Sequence, residues 1–462
     1  MQVIPIRQLT RSTGALGEIP TQRQIIIKTI SIAWPSMLES FLISLTGFAD
    51  TLMVSAIGSS AIAAVGLTTQ PKFLGLAVFM SLSTAVSALT ARRLGEGNQK
   101  SANGILSQAL AIGVLITIVV SAACVFFADE IIGLMGSEPD THNDAVLYFQ
   151  VIMGCILFNT VSLIINASQR GAGKTRVAML SNLTANAVNV VFNYLLIGGN
   201  FGFPKLGVLG AAVATVIGTA VGCGVSILSL FRRKSFVSYR LLKFKFDRQS
   251  LWALAGVGSG TLIEQICLRV GFVLFTLSVT KLGTTALAAH QIGMNLMGIS
   301  FSFGDGLMVA AVALAGRSLG ERREDLAKIY GSCCQRIGIL CSAVLSFIFI
   351  TFGRNIFNFF SDDPAILEYG IMITRIMTVI TFLQIGQVVF IGCLRGAGDV
   401  RFTAVASFIC VTFIRPFMGW LLCYPFGMGL MGAWLGTASD QFVRFVLSYL
   451  RFRSGKWTKI KL

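Results

Sequence analysis

A carboxylate within an apolar helix is a place where a proton or a hard cation can be taken up and released. Asp50 lies in SLTGFADTLMVSAIG, with Gly47, Ala49 and Thr51 as small neighbours. An ionisable residue inside a transmembrane span costs about 2.5 to 3.5 kcal/mol on insertion scales, which marks Asp50 as a functional candidate. Pro35, in the same apolar run, removes an i to i−4 hydrogen bond and permits a bend. Farther on, NAVNVVFNYLLIGG sets Asn186, Asn189 and Asn193 on one helical face. Their side-chain carbonyls can coordinate a hard cation or hold a carboxylate in place, and interhelical hydrogen bonding is an equal alternative.

The second half carries its own charged residues in apolar surroundings. Glu264 in GTLIEQICLRVGF either pairs with an arginine as scaffold or faces a cavity as a binding carboxylate. Asp305 sits between Gly304 and Gly306, where a locally flexible helix would expose backbone carbonyls. Asp440 and Arg444, one turn apart, are expected to pair with each other. Arg375 and Arg415 line a cation pathway poorly, and Lys72, in the first half, has no role that the sequence suggests.

These residues need helices in lipid to position them. The chain has 462 residues, of which 54% are hydrophobic and only 12% charged, with 35 phenylalanines. Such a composition suits an integral membrane protein. Twelve predominantly apolar runs are long enough to cross a hydrocarbon core of about 30 Å. They cover 27–55, 62–91, 104–127, 144–168, 174–198, 207–231, 249–280, 286–316, 329–351, 367–393, 400–424 and 429–450. All are read as helices, because a lipid-exposed backbone must satisfy its own hydrogen bonds. The first 24 residues are polar and lack the apolar core of a signal peptide.

The net charge of +17 would suggest nucleic acid in a soluble protein, but its placement speaks otherwise. Of the 37 Lys and Arg residues, 28 fall at the two termini, in the connections after even-numbered spans or within the first three residues of the odd-numbered spans. That asymmetry predicts a multi-pass protein of the plasma (inner) membrane with both termini in the cytoplasm. The ten cysteines lie almost entirely in apolar runs and read as packing residues, and His142 and His290 are isolated, so no metal centre of that kind is expected.

QRGAGKTR at 169–176 resembles a phosphate-binding loop until its copy is found. Adding 225 converts Glu39 to Glu264, Gly58 to Gly283, Arg92 to Arg317, Gly95 to Gly320 and Glu96 to Glu321. The same offset brings RGAGKTR to RGAGDVR at 395–401, which lacks the Lys-Thr pair. The first glycine of a phosphate loop is also missing, since that position is Ser168. Nucleotide binding is therefore not expected.

Repeats six spans apart share one orientation, so the expected fold is an all-α membrane protein. It has two parallel six-helix repeats, an N-lobe and a C-lobe, around a central cavity, as in transporters that alternate access. The expected division is a cytoplasmic segment at 1–24, the N-lobe at 25–231, a basic linker at 232–248, the C-lobe at 249–450 and a cytoplasmic tail at 451–462. The linker either lies on anionic headgroups or is solvated.

Together, FADTLMVSAIGSSAIAAVGL after a Trp-Pro, LGEG after span two, RGAG before span five and LGAAVAT in span six resemble the bacterial multidrug and toxic compound extrusion (MATE) transporters. The pattern lies between the NorM-like and DinF-like branches. The resemblance implies secondary active export of organic, often cationic compounds in exchange for Na+ or H+, with no cofactor beyond that ion. It implies that Asp50, Asn189 and Thr215, with Asn193 nearby, form an N-lobe cation site that Na+ could occupy. It also implies a C-lobe cation or substrate site at Glu264. There the family's span-ten acid is Gln384 in this chain, and Asp305 either compensates for the missing carboxylate or leaves the site without it. Its partners would be drug-like molecules, the coupling ion and the bilayer, with the chain acting as a monomer and without nucleic acid.

Two other classes compete. A flippase for lipid-linked oligosaccharide would line its cavity with several positive charges for a pyrophosphate, against the acids and amides seen here. A membrane enzyme would need a clustered His, Cys or paired-acid constellation, and none is apparent.

Overall fold

A computed structural model describes residues 16–231, 236–238, 247–360 and 363–460. Among these the chain is helical apart from turns and short connections. In the first half the helices are α1 (Gln22–Ser55), α2 (Ser59–Gly95), α3 (Gln99–Phe126), the short α4 (Ala128–Leu134), α5 (Pro139–Gly154), α6 (Ile156–Gly171), α7 (Thr175–Gly198) and α8 (Gly207–Leu230). In the second they are α9 (Arg248–Thr280), α10 (Thr284–Gly320), α11 (Glu324–Phe360), α12 (Pro364–Gly396), α13 (Val400–Ser407), α14 (Arg415–Cys423) and α15 (Gly429–Ser454). Between α13 and α14 the helix continues as a π-helical segment, Phe408–Ile414.

Among the described residues, eleven spans are long and apolar enough to cross a membrane when α5 and α6, bent by 45° at their junction, count as one. The twelfth expected span is α15, whose 26 residues suffice in length but whose apolar run is broken by Asp440 and Arg444. All twelve expected spans thus have a helical counterpart, and the fold is all-α.

The helices sort into two compact units. One comprises Phe41–Gly258, and the other Met1–Ser40 with Ser259–Leu462. The first half of α1 accordingly packs in the second unit, where Ile25, Ile32 and Ala33 join the buried core of Ala289, Tyr330, Cys334, Phe357 and Trp434. The unit of Phe41–Gly258 is built on Phe79, Phe149 and Met153 in one cluster, and on Val54, Tyr148, Val208 and Ala212 in another.

Of the basic connection at 232–248, residues 236–238 and 247–248 lie within the described set. The first group is anchored rather than free: Asn103 Nδ2 on α3 donates to Phe236 O at 3.1 Å, and Asn103 Oδ1 accepts from Ser238 N at 2.9 Å. Val237 is fully buried beside them. Asp247 caps the start of α9 by accepting from Ser250 Oγ and N, and the Ser250 hydroxyl holds its carboxyl below the usual range. Residues 1–15, 232–235 and 239–246 of the expected terminal and linker segments, and part of SDDP at 361–364, lie outside the described residues.

The repeat is visible in the packing. Gly173 and Gly398 both take the left-handed conformation, at φ 75° and 85°. Lys174 N donates to Gln169 O, and Asp399 N to Leu394 O, each at 2.8 Å. A Cβ on Gly171 would collide with the Ser87 carbonyl, and one on Gly396 would stand 2.6 Å from the Val312 carbonyl oxygen. Ser87 and Val312 are themselves 225 residues apart. RGAG is therefore a helix-ending turn whose first glycine lets two helix backbones touch, which explains why the motif recurs without its Lys-Thr.

Gly171→Ala or Gly396→Ala is expected to cost about 1 to 3 kcal/mol, the usual range for overpacking. A lowered melting temperature of the purified protein in detergent would show it, and an unchanged one in both variants would contradict the contact.

Candidate functional site

The first-half candidates meet where α1, α7 and α8 converge. Helices α7 and α8 approach closely because α8 presents glycines to α7. A Cβ on Gly218 would lie 2.6 Å from the Ala185 carbonyl oxygen, and one on Gly222 would lie 2.8 Å from Ala185 Cβ. Small residues permit such backbone approach in an apolar medium. Asn189 and Asn193 are one turn apart on α7, so both amides emerge on one side. Thr215 meets them from α8 and Asp50 from α1.

Asn193 Nδ2 donates to Asp50 Oδ1 at 2.6 Å. The hydrogen-bond network assigns the Asn189 amide the orientation in which each of its ends meets a complementary partner. Its Nδ2 donates to the same Asp50 Oδ1 at 2.9 Å, and its Oδ1 accepts from Thr215 Oγ1 and N at 3.2 and 3.3 Å. The reverse orientation would set the amide oxygen against the carboxylate. Both asparagines are buried, and Asn193 Oδ1 has no hydrogen-bond partner. An unspent acceptor oxygen therefore sits on the very side chain that binds the carboxylate. Asn186, a turn earlier, keeps a buried Nδ2 without a partner and takes no part in the cluster.

Two further ionisable groups, one given no role by the sequence and the other not singled out there, share the field of Asp50. These are Lys72 on α2 and Tyr148 on α5. Nothing in their spacing points to Asp50, since Tyr148 is about 100 residues away and reaches it only through the fold. Chemically the cluster is one carboxylate, two amides and a hydroxyl. That set suits a proton or a small hard cation, which prefers oxygen ligands.

The MatE family model matches the chain twice, over residues 35–195 and 261–421. The chain belongs to the MatE family. A probable multidrug resistance protein NorM of Thermotoga maritima is 29% identical over 446 residues, covering 96% of this MatE chain and 94% of the relative. The multidrug resistance protein NorM of Aliivibrio fischeri is 25% identical over 438 residues, covering 89% and 90%. A solved outward-facing multidrug resistance MATE family transporter of the MOP superfamily has the same fold. It matches with a TM-score of 0.88 at 19% identity, over 95% of this chain and 100% of that one. A MOP superfamily transporter from Pyrococcus furiosus also matches at 0.88 and 19%, over 96% and 100%.

In the second half of this MatE chain the candidates do not form one cluster. Glu264 is buried and saturated: Arg395 Nη2 donates to Oε2 at 2.8 Å, Thr403 Oγ1 to Oε2 at 3.2 Å and Ser407 Oγ to Oε1 at 2.8 Å. Arg395 is the arginine of the second RGAG turn. Gln384 lies eleven residues before it on α12, about 16 Å along the helix axis, and is buried with Oε1 unpartnered.

Asp305 is half-buried on α10. The flexible helix expected around it is instead continuous, and its flanking glycines serve packing. Gly306 abuts the backbone of Met37, and a Cβ on Gly304 would lie 3.6 Å from Ile385 Cα, next to Gln384. Asp305 and Gln384 thus share a level that Glu264 does not reach. Asp440 pairs with Arg444 as expected, at 3.2 Å, and more closely with Arg415, at 2.6 Å.

Proposed function

We propose that this chain is a secondary active multidrug exporter, moving organic and often cationic compounds outward in exchange for Na+ or H+ by alternating access. The observation that carries the reading is the Asp50 carboxylate, held within a span by two amides while Asn193 Oδ1 stays unsatisfied. A proton on Asp50 would remove the charge that both amides donate to. A sodium ion would recruit oxygens instead, with Asp50, Asn193 Oδ1 and Thr215 Oγ1 as its ligands and Asn189 as the residue that aligns Thr215. Either event changes how α7 grips α1.

Such an ion drives exchange only if it binds one conformational state better than the other. Pro35 gives α1 a point at which to bend, and Lys72 supplies a positive charge to Asp50 when no ion does. The relatives named multidrug resistance proteins support export of drug-like compounds over lipid-linked oligosaccharide flipping. The exporter is proposed to work as a monomer in the bacterial inner membrane, with both termini cytoplasmic and no cofactor beyond the coupling ion.

The test is transport of a fluorescent organic cation by membrane vesicles containing the protein. An imposed Na+ gradient or an imposed pH gradient should drive it, and the one that does names the ion. Equal transport with neither gradient would refute coupling.

A further inference from the structure

The repeat allows the second half's counterpart of the Asp50 site to be located residue by residue. Between α1 and α9 the offset is 225, as Glu39 and Glu264 show, so Asp50 corresponds to Phe275. Between α8 and α15 it is 222, since GVLGAAVAT at 207–215 aligns with GLMGAWLGT at 429–437. Thr215 therefore corresponds to Thr437, and Gly218 to Asp440.

Between α7 and α14 the offset is 226, because the π-helical segment Phe408–Ile414 adds one residue. Packing confirms this: a Cβ on Gly210 would strike Leu196, and one on Gly432 would strike Leu422, 226 residues on. Asn189 thus corresponds to Arg415, and Asn193 to Gly419.

The substitutions form a consistent set. The carboxylate has become an aromatic ring, one amide a guanidinium and the other a glycine, and the close-packing glycine of α8 has become a carboxylate. Arg415 Nε and Nη2 donate to Asp440 Oδ2 at 3.0 and 2.6 Å. Its guanidinium carbon stands 4.6 Å from the Phe272 ring centroid and 6.0 Å from that of Phe275. The side chains of Arg415 and Asp440 are 1% and 0% exposed, so the pair is sealed from solvent. Arg444 adds a second guanidinium to the same Oδ2. Asp440 Oδ1 has no protein partner, but an ion approaching it would meet two positive charges for one negative.

We propose that Arg415 is a tethered cation filling the second-half counterpart of the Asp50 site, so that this chain carries one coupling-ion site and not two. The number of coupling ions rests on the exporter reading above; the role of Arg415 toward Asp440 does not.

Two measurements on the purified full chain separate them. Equilibrium binding of radioactive Na+, paired with proton release on a pH jump taken as the difference between wild type and Asp50→Asn, should give one ion per chain in the concentration range of the wild type. Na+ bound by Asp50→Asn in that same range, or a further proton lost only when Asp440→Asn is added to it, overturns the single-site proposal. Arg415→Ala should leave Asp440 open to a free cation. Methylguanidinium is then expected to raise the melting temperature of Arg415→Ala by several degrees, with no effect on the wild type or on Arg415→Ala/Asp440→Asn. No rise in Arg415→Ala overturns the tethered-cation role. If Arg415→Ala does not survive purification, Arg415→Lys, which keeps a charge on a tether, must fold and keep an ion count of one. If the wild type binds no Na+ and releases no more protons than Asp50→Asn, the exporter reading fails, while the methylguanidinium result still decides the role of Arg415.

Discussion

Asp50→Asn is expected to abolish gradient-driven efflux while leaving the protein folded and inserted. The structure supplies both halves of that expectation. An asparagine at position 50 can still present an oxygen to the amides of Asn189 and Asn193, so the junction of α1, α7 and α8 keeps its hydrogen bonds. What is lost is the charge. A hydrogen bond to a charged group is worth about 1.5 to 3 kcal/mol against about 1 for a neutral one, and the Coulombic attraction for an ion disappears as well. At 1.4 kcal/mol per decade, any remaining ion dependence should move to roughly 10- to 100-fold higher concentration. An ion that no longer favours one state shifts no equilibrium however tightly the drug binds. Drug resistance of cells expressing the variant, with its membrane level checked by immunoblot, is the readout. Resistance equal to wild type would remove Asp50 from the coupling role.

The span pattern and the repeat were legible in the sequence because they rest on local composition and on copying, both of which survive without a fold. The grouping of Asp50 with Asn189 and Asn193 was half-legible. Helical spacing puts the two amides on one face, but only tertiary packing through Gly218 and Gly222 shows that this face meets α1. Lys72 and Tyr148 could not be read, because their relation to Asp50 exists only across helices. The bend between α5 and α6 falls at Gly154, and the π segment ends two residues before Pro416, but in an apolar run neither residue type by itself tells a break from close packing. The span at 429–450 was legible in spite of Asp440 and Arg444, and the structure shows how these two are tolerated: they are sealed in an ion cluster with Arg415.

Glu264 shows what such sealing implies for function, and its substitution carries the second large effect. As a carboxylate in the second half it could either bind cargo or hold the scaffold. Arg395, Thr403 and Ser407 all donate to it, and its side chain is only 3% exposed, which favours the scaffold. Removing one partner of a buried ion pair leaves the other charge uncompensated, typically at about 3 to 5 kcal/mol. Glu264→Ala is therefore expected to lower the yield of monodisperse protein and its melting temperature sharply. Glu264→Gln, which keeps its size and hydrogen-bonding capacity, should be destabilised less but still measurably. The double variant Glu264→Ala/Arg395→Ala should recover part of the loss, since neither charge is then stranded. Efflux per folded molecule in Glu264→Gln should keep the ion dependence of the wild type. The opposite pattern, wild-type stability with altered ion or substrate dependence, would make Glu264 a binding carboxylate and return a transport role to this buried turn.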